Sequence, residues 1–159
     1  MFRFDRKQEV LDFGKFKVGG STISQQLAKN LYLSPSKNPV RKLREAIIAW
    51  RMERALSKRR ILELYLNVVE WGEAIFGIEA AARTYFGKKA SQLTLGEIAV
   101  LAGLPQSPSN YSPIKQPEAA RARQRYVLNR MAEDGIITAE QARTAYEQGI
   151  PLAGNWRKA

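Results

Sequence analysis

Helix-start signals recur along this 159-residue chain and constrain its fold more than any other feature. Pro39 follows Asn38 at a first helical position, and Ser57 precedes a long apolar run. Thr94 and Thr138 each begin a capping box, in which the side chains of the cap and of the third helical residue satisfy backbone N–H groups. The sequence contains no convincing strand pattern and no repeat. It therefore predicts an all-α fold.

The helices predicted from these starts share apolar residues at three- and four-residue spacing. In the first of them Val40, Leu43, Ile47 and Trp50 form an amphipathic stripe. The four prolines between positions 105 and 117 predict a long ordered loop instead. The predicted helices cover about residues 39–56, 58–69, 73–86, 95–104, 118–133 and 139–148.

The chain has no cysteine and no histidine, and this absence excludes several classes of chemistry. It rules out disulfides, thiolate or imidazole metal sites, a Ser-His-Asp triad and a cysteine nucleophile. Catalysis by these residues must use carboxylates, lysine, tyrosine, hydroxyls or cations bound to oxygen. The apolar content of 45% suffices for one folded domain.

The net charge of +11 is concentrated in one short segment. Residues 37–60 hold nine basic and two acidic side chains, which gives +7, whereas residues 61–159 hold eleven basic and ten acidic ones. A focused positive field attracts the phosphates of a nucleic acid, an anionic lipid or a pyrophosphate substrate. A solvated basic helix face is the alternative. The chain contains no apolar run of the roughly 18–20 residues that cross a bilayer.

Residues 19–31, GGSTISQQLAKNL, form the most specific local string. Two glycines, two hydroxyls and a helix start with Lys29 suit anion binding, because backbone N–H groups and the helix dipole favour negative charge there. The alternative is a Gly-Gly turn in which Ser21 is an ordinary helix cap. The string is not a Walker loop, since the Gly-Lys-Ser/Thr ending is missing.

This string resembles the second motif of the peptidoglycan glycosyltransferases, glycosyltransferase family 51. RKLREAIIAWRMER at 41–54 and SKRRILELYLN at 57–67 resemble the third and fourth motifs. GIEAAARTYFGK at 77–88 and LAGLPQSPSNYSP at 101–113 resemble the fifth region. The resemblance covers about residues 14–148. It implies a lysozyme-like, multi-helix transglycosylase domain at 19–150, after an incomplete N-terminal segment at 1–18 and before a tail at 151–159.

The resemblance also implies a reaction. Family members polymerise lipid II: the 4-hydroxyl of an acceptor sugar attacks C1 of the lipid-linked donor, and undecaprenyl pyrophosphate leaves. The expected partners are lipid II, the growing glycan, an anionic membrane surface and other cell-wall synthesis proteins, with no nucleic acid. The expected place is the periplasmic face of the bacterial cytoplasmic membrane. No firmly bound cofactor is expected. Whether a divalent cation, Mg²⁺ or Mn²⁺, binds at the pyrophosphate is left open.

The site residues are carried over from the motifs position by position. By its spacing alone, one turn after Arg41, Glu45 is interpreted as a surface ion pair. The resemblance instead implies a cleft carboxylate beside cationic side chains, because Glu45 matches the second family carboxylate, and Glu45 is the catalytic candidate. Glu63 is interpreted as a structural anchor of a buried helix. The predicted substrate-binding residues are Gly20, Ser21, Gln26, Lys29, Lys37, Arg41 and Arg44.

The first family motif, E-D-x-x-F-x-x-H-x-G, which carries the glutamate assigned as general base, has no match in this sequence. Either the chain begins downstream of the true start or it is a natural fragment. We therefore expect the polypeptide alone to make little or no glycan. Three alternatives are a basic helical nucleic-acid-binding domain, a lysozyme-like hydrolase, and a catalytically inactive protein that binds lipid pyrophosphate.

Overall fold

The computed structural model describes residues 21–32 and 39–153 of the chain. It is 69% helical, with a single two-stranded sheet in the described residues. The all-α prediction is thereby confirmed. The described helices are α1 (Ile23–Tyr32), α2 (Pro39–Ala55), α3 (Lys58–Val68), α4 (Ile78–Phe86), α5 (Leu95–Gly103), α6 (Pro117–Glu133) and α7 (Ala139–Glu147).

The helix starts predicted from Pro39, Ser57, Thr94 and Thr138 are confirmed. Pro39 is the first residue of α2, and the Ser57 hydroxyl accepts a hydrogen bond from the Arg60 N–H at 3.2 Å. Both capping boxes form, one between Thr94 and Glu97 and one at the start of α7. Such signals succeed because each cap bonds a backbone group only three residues away. Asn38 lies outside the described residues.

A small hairpin replaces the first turns of the helix that was predicted to begin at Glu73. Strand β1 (Glu70–Gly72) pairs antiparallel with β2 (Ile75–Phe76), and Ala74 between them has a positive φ of 57°. Gly77 then precedes α4 with a φ of +85°, and a Cβ there would lie 2.9 Å from the carbonyl oxygen of Asn67. The chain therefore needs glycine to turn from the hairpin into α4.

The main hydrophobic core joins α1, α3, the hairpin, α4 and α5. A second cluster packs α5, α6 and α7 together around Ala99, Leu128, Ala142 and Ala145. Between α5 and α6 runs the proline-rich segment, which opens with a short 3₁₀ turn at Leu104–Gln106. The buried residues of the main core are Leu27, Ile61, Tyr65, Val69, Trp71, Ala81, Tyr85, Phe86, Val100, Leu101 and Leu104.

Helix α2 buries a different face from the one that its apolar stripe suggests. The residues of the stripe are exposed in the structure: Val40, Leu43, Ile47 and Trp50. The buried positions are Glu45 and Ala49, which lie on the side of α2 that packs on α1. The orientation of α2 therefore places a carboxylate inside the protein.

One further expectation about a side chain is corrected. Glu63 is not a buried anchor, because its side chain is exposed and pairs with Arg60 at 2.9 Å. Among the aromatic residues, Trp71 is buried in the core, whereas Trp50 and Phe76 are exposed. Helix α3 faces the core with Ile61 and Tyr65 instead.

Candidate substrate cleft

A cleft of about 530 Å³ lies where α1, α2, α3, the hairpin and the end of α5 meet. Its wall mixes polar groups from the second and third motifs with apolar side chains of the core. The lining residues are Ser21, Ile23, Gln25, Gln26, Lys29, Glu45, Tyr65, Leu66, Trp71, Ala102, Pro105 and Gln106.

The start of α1 places its polar residues at this cleft. Thr22 and Gln25 bond reciprocally: the Thr22 hydroxyl accepts from the Gln25 N–H, and the Gln25 side chain accepts from the Thr22 N–H, both at 3.2 Å. This arrangement is a capping box. Thr22, and not Ser21, therefore caps the helix, so the ordinary-cap alternative for Ser21 is wrong. The Ser21 hydroxyl accepts instead from the Lys42 ammonium at 2.6 Å.

Glu45 is a buried carboxylate between two cations. Its residue is 2% exposed, Arg41 donates to Oε1, and Lys42 donates to Oε2 at 3.0 Å. Glu45 is therefore not a surface residue. The surface-ion-pair interpretation is wrong in this respect, although Glu45 does pair with Arg41. Lys42 links Glu45 to Ser21, which joins the third motif to the second across the cleft wall. A buried charge needs such partners, since an unpaired one costs several kcal/mol (order of magnitude).

Tyr65 and Gln26 form a second link between motifs. The Tyr65 hydroxyl on α3 donates to Gln26 Oε1 at 3.1 Å, and Gln26 Nε2 donates to the Ser21 carbonyl oxygen at 3.1 Å. Burial raises the pKa of Tyr65, because desolvation disfavours the phenolate. The hydroxyl, which any tyrosine keeps protonated at neutral pH, therefore remains a donor to a higher pH than in an exposed tyrosine.

The structure brings most of the predicted site residues together. Ser21, Gln26, Lys29 and Glu45 all line the one cleft, with Arg41 in contact with Glu45 from the preceding turn. Lys29 is exposed, as a cation must be if it is to meet an anionic ligand from solvent. This convergence of separate motifs supports a single binding site.

Three predicted residues are not brought to the cleft. Arg44 is exposed on α2 and is not part of the cleft wall. Gly20 and Lys37 lie outside the described residues. The substrate-binding role of all three stays a prediction.

Sequence reasoning missed Lys42, Tyr65, Trp71 and Gln106 as parts of the site. Lys42 was visible only as one charge among nine, and Tyr65 as an apolar residue of a central helix. Gln106 lies in the fifth motif region, and Trp71 follows the end of the fourth motif at Asn67. Their motif membership was the one signal that could have found them, because their contacts join residues far apart in sequence.

The described residues do not fit a metal site. They contain no group of three or more Asp, Glu, His or Cys side chains that could hold an ion. Glu45, the one carboxylate of the cleft wall, already accepts from a cation at each oxygen. A divalent cation bound with the pyrophosphate stays a prediction.

No helix in the described ranges combines the length and the apolar character needed to cross a membrane.

The sequence profile of the family described as transglycosylase matches residues 7–132. The chain therefore belongs to the transglycosylase family, the glycosyltransferases of peptidoglycan biosynthesis that the motifs indicate. Its relatives include large penicillin-binding proteins. It is 49% identical over 137 residues to penicillin-binding protein 1A of Neisseria flavescens, a match that covers 86% of this chain and 17% of that protein.

The protein of the same name from Aquifex aeolicus is 47% identical and is covered to 18% of its length. Among solved structures, penicillin-binding protein 1A from Haemophilus influenzae is similar, with a TM-score of 0.58 and 31% identity. That match covers 82% of this chain and 16% of the other. The chain thus spans about a sixth of the length of these relatives.

Proposed function

We propose that the cleft binds lipid II and that the chain is the part of a peptidoglycan glycosyltransferase that holds the lipid-linked pyrophosphate. In the full reaction the 4-hydroxyl of the acceptor sugar attacks C1 of the donor with inversion. A β-1,4 bond forms, the C1–oxygen bond to the pyrophosphate breaks, and undecaprenyl pyrophosphate leaves with the electron pair. The hydroxyl proton passes to a base.

The observation that carries this proposal is the convergence of the second and third motifs on one cleft. Lys29 and Gln26 of α1 face the same cavity as Glu45 of α2, and Lys42 ties Glu45 to Ser21. Departure of a pyrophosphate requires positive charge near the developing anion. Lys29 provides an exposed ammonium at the cleft wall.

Glu45 serves this site as the group that holds its cations in place. A carboxylate with Arg41 on one oxygen and Lys42 on the other fixes both side chains on the same side of α2. Each pair is a charge-assisted hydrogen bond, which is shorter and stronger than a neutral one. Both oxygens are occupied, so we assign Glu45 to electrostatic organisation and not to removal of the hydroxyl proton.

We propose that these 159 residues do not supply the general base. They contain no E-D-x-x-F-x-x-H-x-G, the family motif that carries the general-base glutamate. We therefore expect the chain by itself to bind lipid II and to polymerise it far more slowly than family members that carry this motif. Polymerisation by the purified chain at a family-like rate would contradict this part of the proposal, and release of soluble muropeptides would favour the hydrolase alternative.

The proposed place of action is the periplasmic face of a bacterial cytoplasmic membrane, where the lipid-linked substrate is held. Residues 37–60, at +7, are suited to the anionic lipid surface beside the substrate.

Photo-crosslinking tests the site directly. A lipid II analogue with a diazirine next to the pyrophosphate is irradiated with the purified chain, and the labelled peptides are identified by mass spectrometry. We expect labels in residues 21–32 and 39–56, reduced by excess undecaprenyl pyrophosphate but not by duplex DNA. Labels confined to α6 and α7 would contradict the assignment, and competition by DNA would favour the nucleic-acid alternative.

A further inference from the structure

A series of hydrogen bonds on the cleft wall links α3 to α1, and the proposed function gives it no role. It runs from Tyr65 through the Gln26 side chain to the Ser21 backbone, with both links at 3.1 Å. All three residues line the cleft, and Tyr65 is 7% exposed. Tyr65 and Gln26 lie 39 positions apart, so the contact depends on the packing of α3 on α1.

The donor and acceptor types of the groups fix the direction of each hydrogen bond in this series. The Ser21 carbonyl oxygen can only accept, so the Gln26 amide must turn its NH₂ group towards it. A flipped amide would bring two acceptor oxygens together. The amide oxygen therefore faces Tyr65, whose hydroxyl must donate. Burial raises the pKa of Tyr65 and so preserves that donor.

One N–H of the Gln26 amide remains. The first bonds to the Ser21 carbonyl oxygen, and the second meets no acceptor in residues 21–32 and 39–153. Gln26 is half-buried and lines the cleft, so this N–H lies where a molecule bound in the cleft could accept from it.

We propose that Tyr65 is a positioning residue: its hydroxyl locks the Gln26 amide so that the free N–H donates to an oxygen acceptor of the ligand in the cleft. The nature of the ligand, a pyrophosphate-linked sugar, rests on the proposed function. The acceptor is an oxygen of the pyrophosphate or of the attached sugar, and the two are distinguished by ligands with and without the sugar.

Binding to the full chain provides the first test. Tyr65→Phe removes only the hydroxyl, and we expect about fivefold weaker binding of lipid II in detergent micelles, the loss of one typical hydrogen bond. An equal loss for undecaprenyl pyrophosphate assigns the acceptor to the pyrophosphate, and a loss for lipid II alone assigns it to the sugar. Unchanged affinity for both ligands would overturn the proposal.

Tyr85→Phe is the matched control. The Tyr85 hydroxyl is also buried and donates to the Trp71 carbonyl oxygen at 2.9 Å, which is a backbone acceptor and not a glutamine amide. It removes a comparable buried hydrogen bond, and we expect it to leave the affinity within about twofold of the parent. An equal loss in both variants would mean that only general packing is involved, and would overturn the proposal.

A double-mutant cycle separates positioning from a merely structural effect. Gln26→Ala should weaken binding, and adding Tyr65→Phe to it should then change nothing, because Tyr65 has no amide left to hold. A structural role, or direct contact of Tyr65 with the ligand, would instead give the same further loss in both backgrounds. Additive effects would overturn the proposal.

A measurement without ligand keeps this inference separate from the proposed function. In ¹⁵N spectra of the free chain, we expect Tyr65→Phe to shift the side-chain NH₂ signals of Gln26, and Tyr85→Phe to leave them in place. Unshifted signals in Tyr65→Phe would overturn the positioning role. If the parent chain binds no pyrophosphate lipid while the signals do shift, the proposed function fails and the positioning role stands.

Discussion

The regions around α2 and α5 each bury a glutamate, and the two differ in what surrounds the carboxylate. Glu45 is 2% exposed and Glu97 is 1% exposed. Glu97 accepts from the Thr94 N–H at 2.8 Å and from Lys88 at 2.7 Å, so it closes a capping box and anchors the preceding loop. Glu45 accepts from two side-chain cations, Arg41 and Lys42, and it lines the cleft.

This difference shows that burial of a carboxylate does not by itself mark a functional site. The bonds of Glu97 are used to start a helix and to hold a loop, which are matters of stability. Those of Glu45 organise Arg41 and Lys42 beside a cavity that is open to a ligand. The surroundings of the carboxylate, and not its burial, separate the two roles.

The largest expected effect falls on the α5 side. Glu97→Ala removes the capping-box acceptor and a buried ion pair, and we expect a loss of about 3 kcal/mol in the free energy of unfolding. The affinity for undecaprenyl pyrophosphate should not change. Urea unfolding followed by circular dichroism, together with a binding titration, checks both. If folded Glu97→Ala bound undecaprenyl pyrophosphate more weakly than the parent, the α5 region would also act in binding, and the proposed difference between the two regions would be wrong.

Lys29 and Arg51 test the cleft side, because both are exposed cations and only Lys29 lines the cavity. We expect Lys29→Ala to weaken binding about tenfold, as the loss of a hydrogen bond from a charged donor predicts. Arg51→Ala on α2 is the matched control and should change affinity by about twofold or less. Equal losses would show that net charge, and not the cleft, determines binding.

Two capping boxes can be compared, and each is expected to contribute about 1 kcal/mol to the free energy of unfolding. Thr22 pairs with Gln25 at the cleft, and Thr138 pairs with Gln141 at the far end of the chain. We expect Thr22→Ala and Thr138→Ala each to lower the free energy of unfolding by about that amount. Only Thr22→Ala should also weaken binding, because its cap positions Ser21 and Gln26. Loss of affinity in the Thr138 variant would contradict this account.

The smallest effect is expected at high pH. Burial raises the pKa of Tyr65 and of Tyr85, the latter also through the negative charge of Glu73. The unfolded chain then loses its phenol protons first, so the free energy of unfolding falls as the pH rises above about 10. Below that pH the contribution is fully present. Unfolding in urea at about pH 9 and 11 should show a smaller decline in Tyr85→Phe than in the parent.

Local signals predicted the helices well, and packing explains the failures. Ser57, Thr94 and Thr138 act within three residues, so their caps could be predicted from the sequence. The buried face of α2 could not be predicted from the sequence. A helix with apolar residues on one side and Ala49 on the other can pack against its neighbours with either side. The hairpin was missed because it has only three and two residues in its strands.

The site was predicted in part for the same reason. Motif resemblance predicted Glu45, Gln26 and Lys29, all of which lie at the cleft. The contacts that organise them were not predictable, since Lys42 reaches Ser21 across 21 positions and Tyr65 reaches Gln26 across 39. Such contacts require the relative placement of α1, α2 and α3, which the periodicity of the individual helices does not contain.

The affinity of the purified protein for undecaprenyl pyrophosphate, compared with its affinity for undecaprenol in the same micelles, tests directly whether the cleft binds a pyrophosphate. The two lipids have the same prenyl tail and differ in the anionic head group. We expect saturable one-to-one binding of the pyrophosphate, at least about tenfold tighter than binding of the alcohol and weakened by Lys29→Ala. Equal affinity for both lipids would contradict the proposed pyrophosphate site.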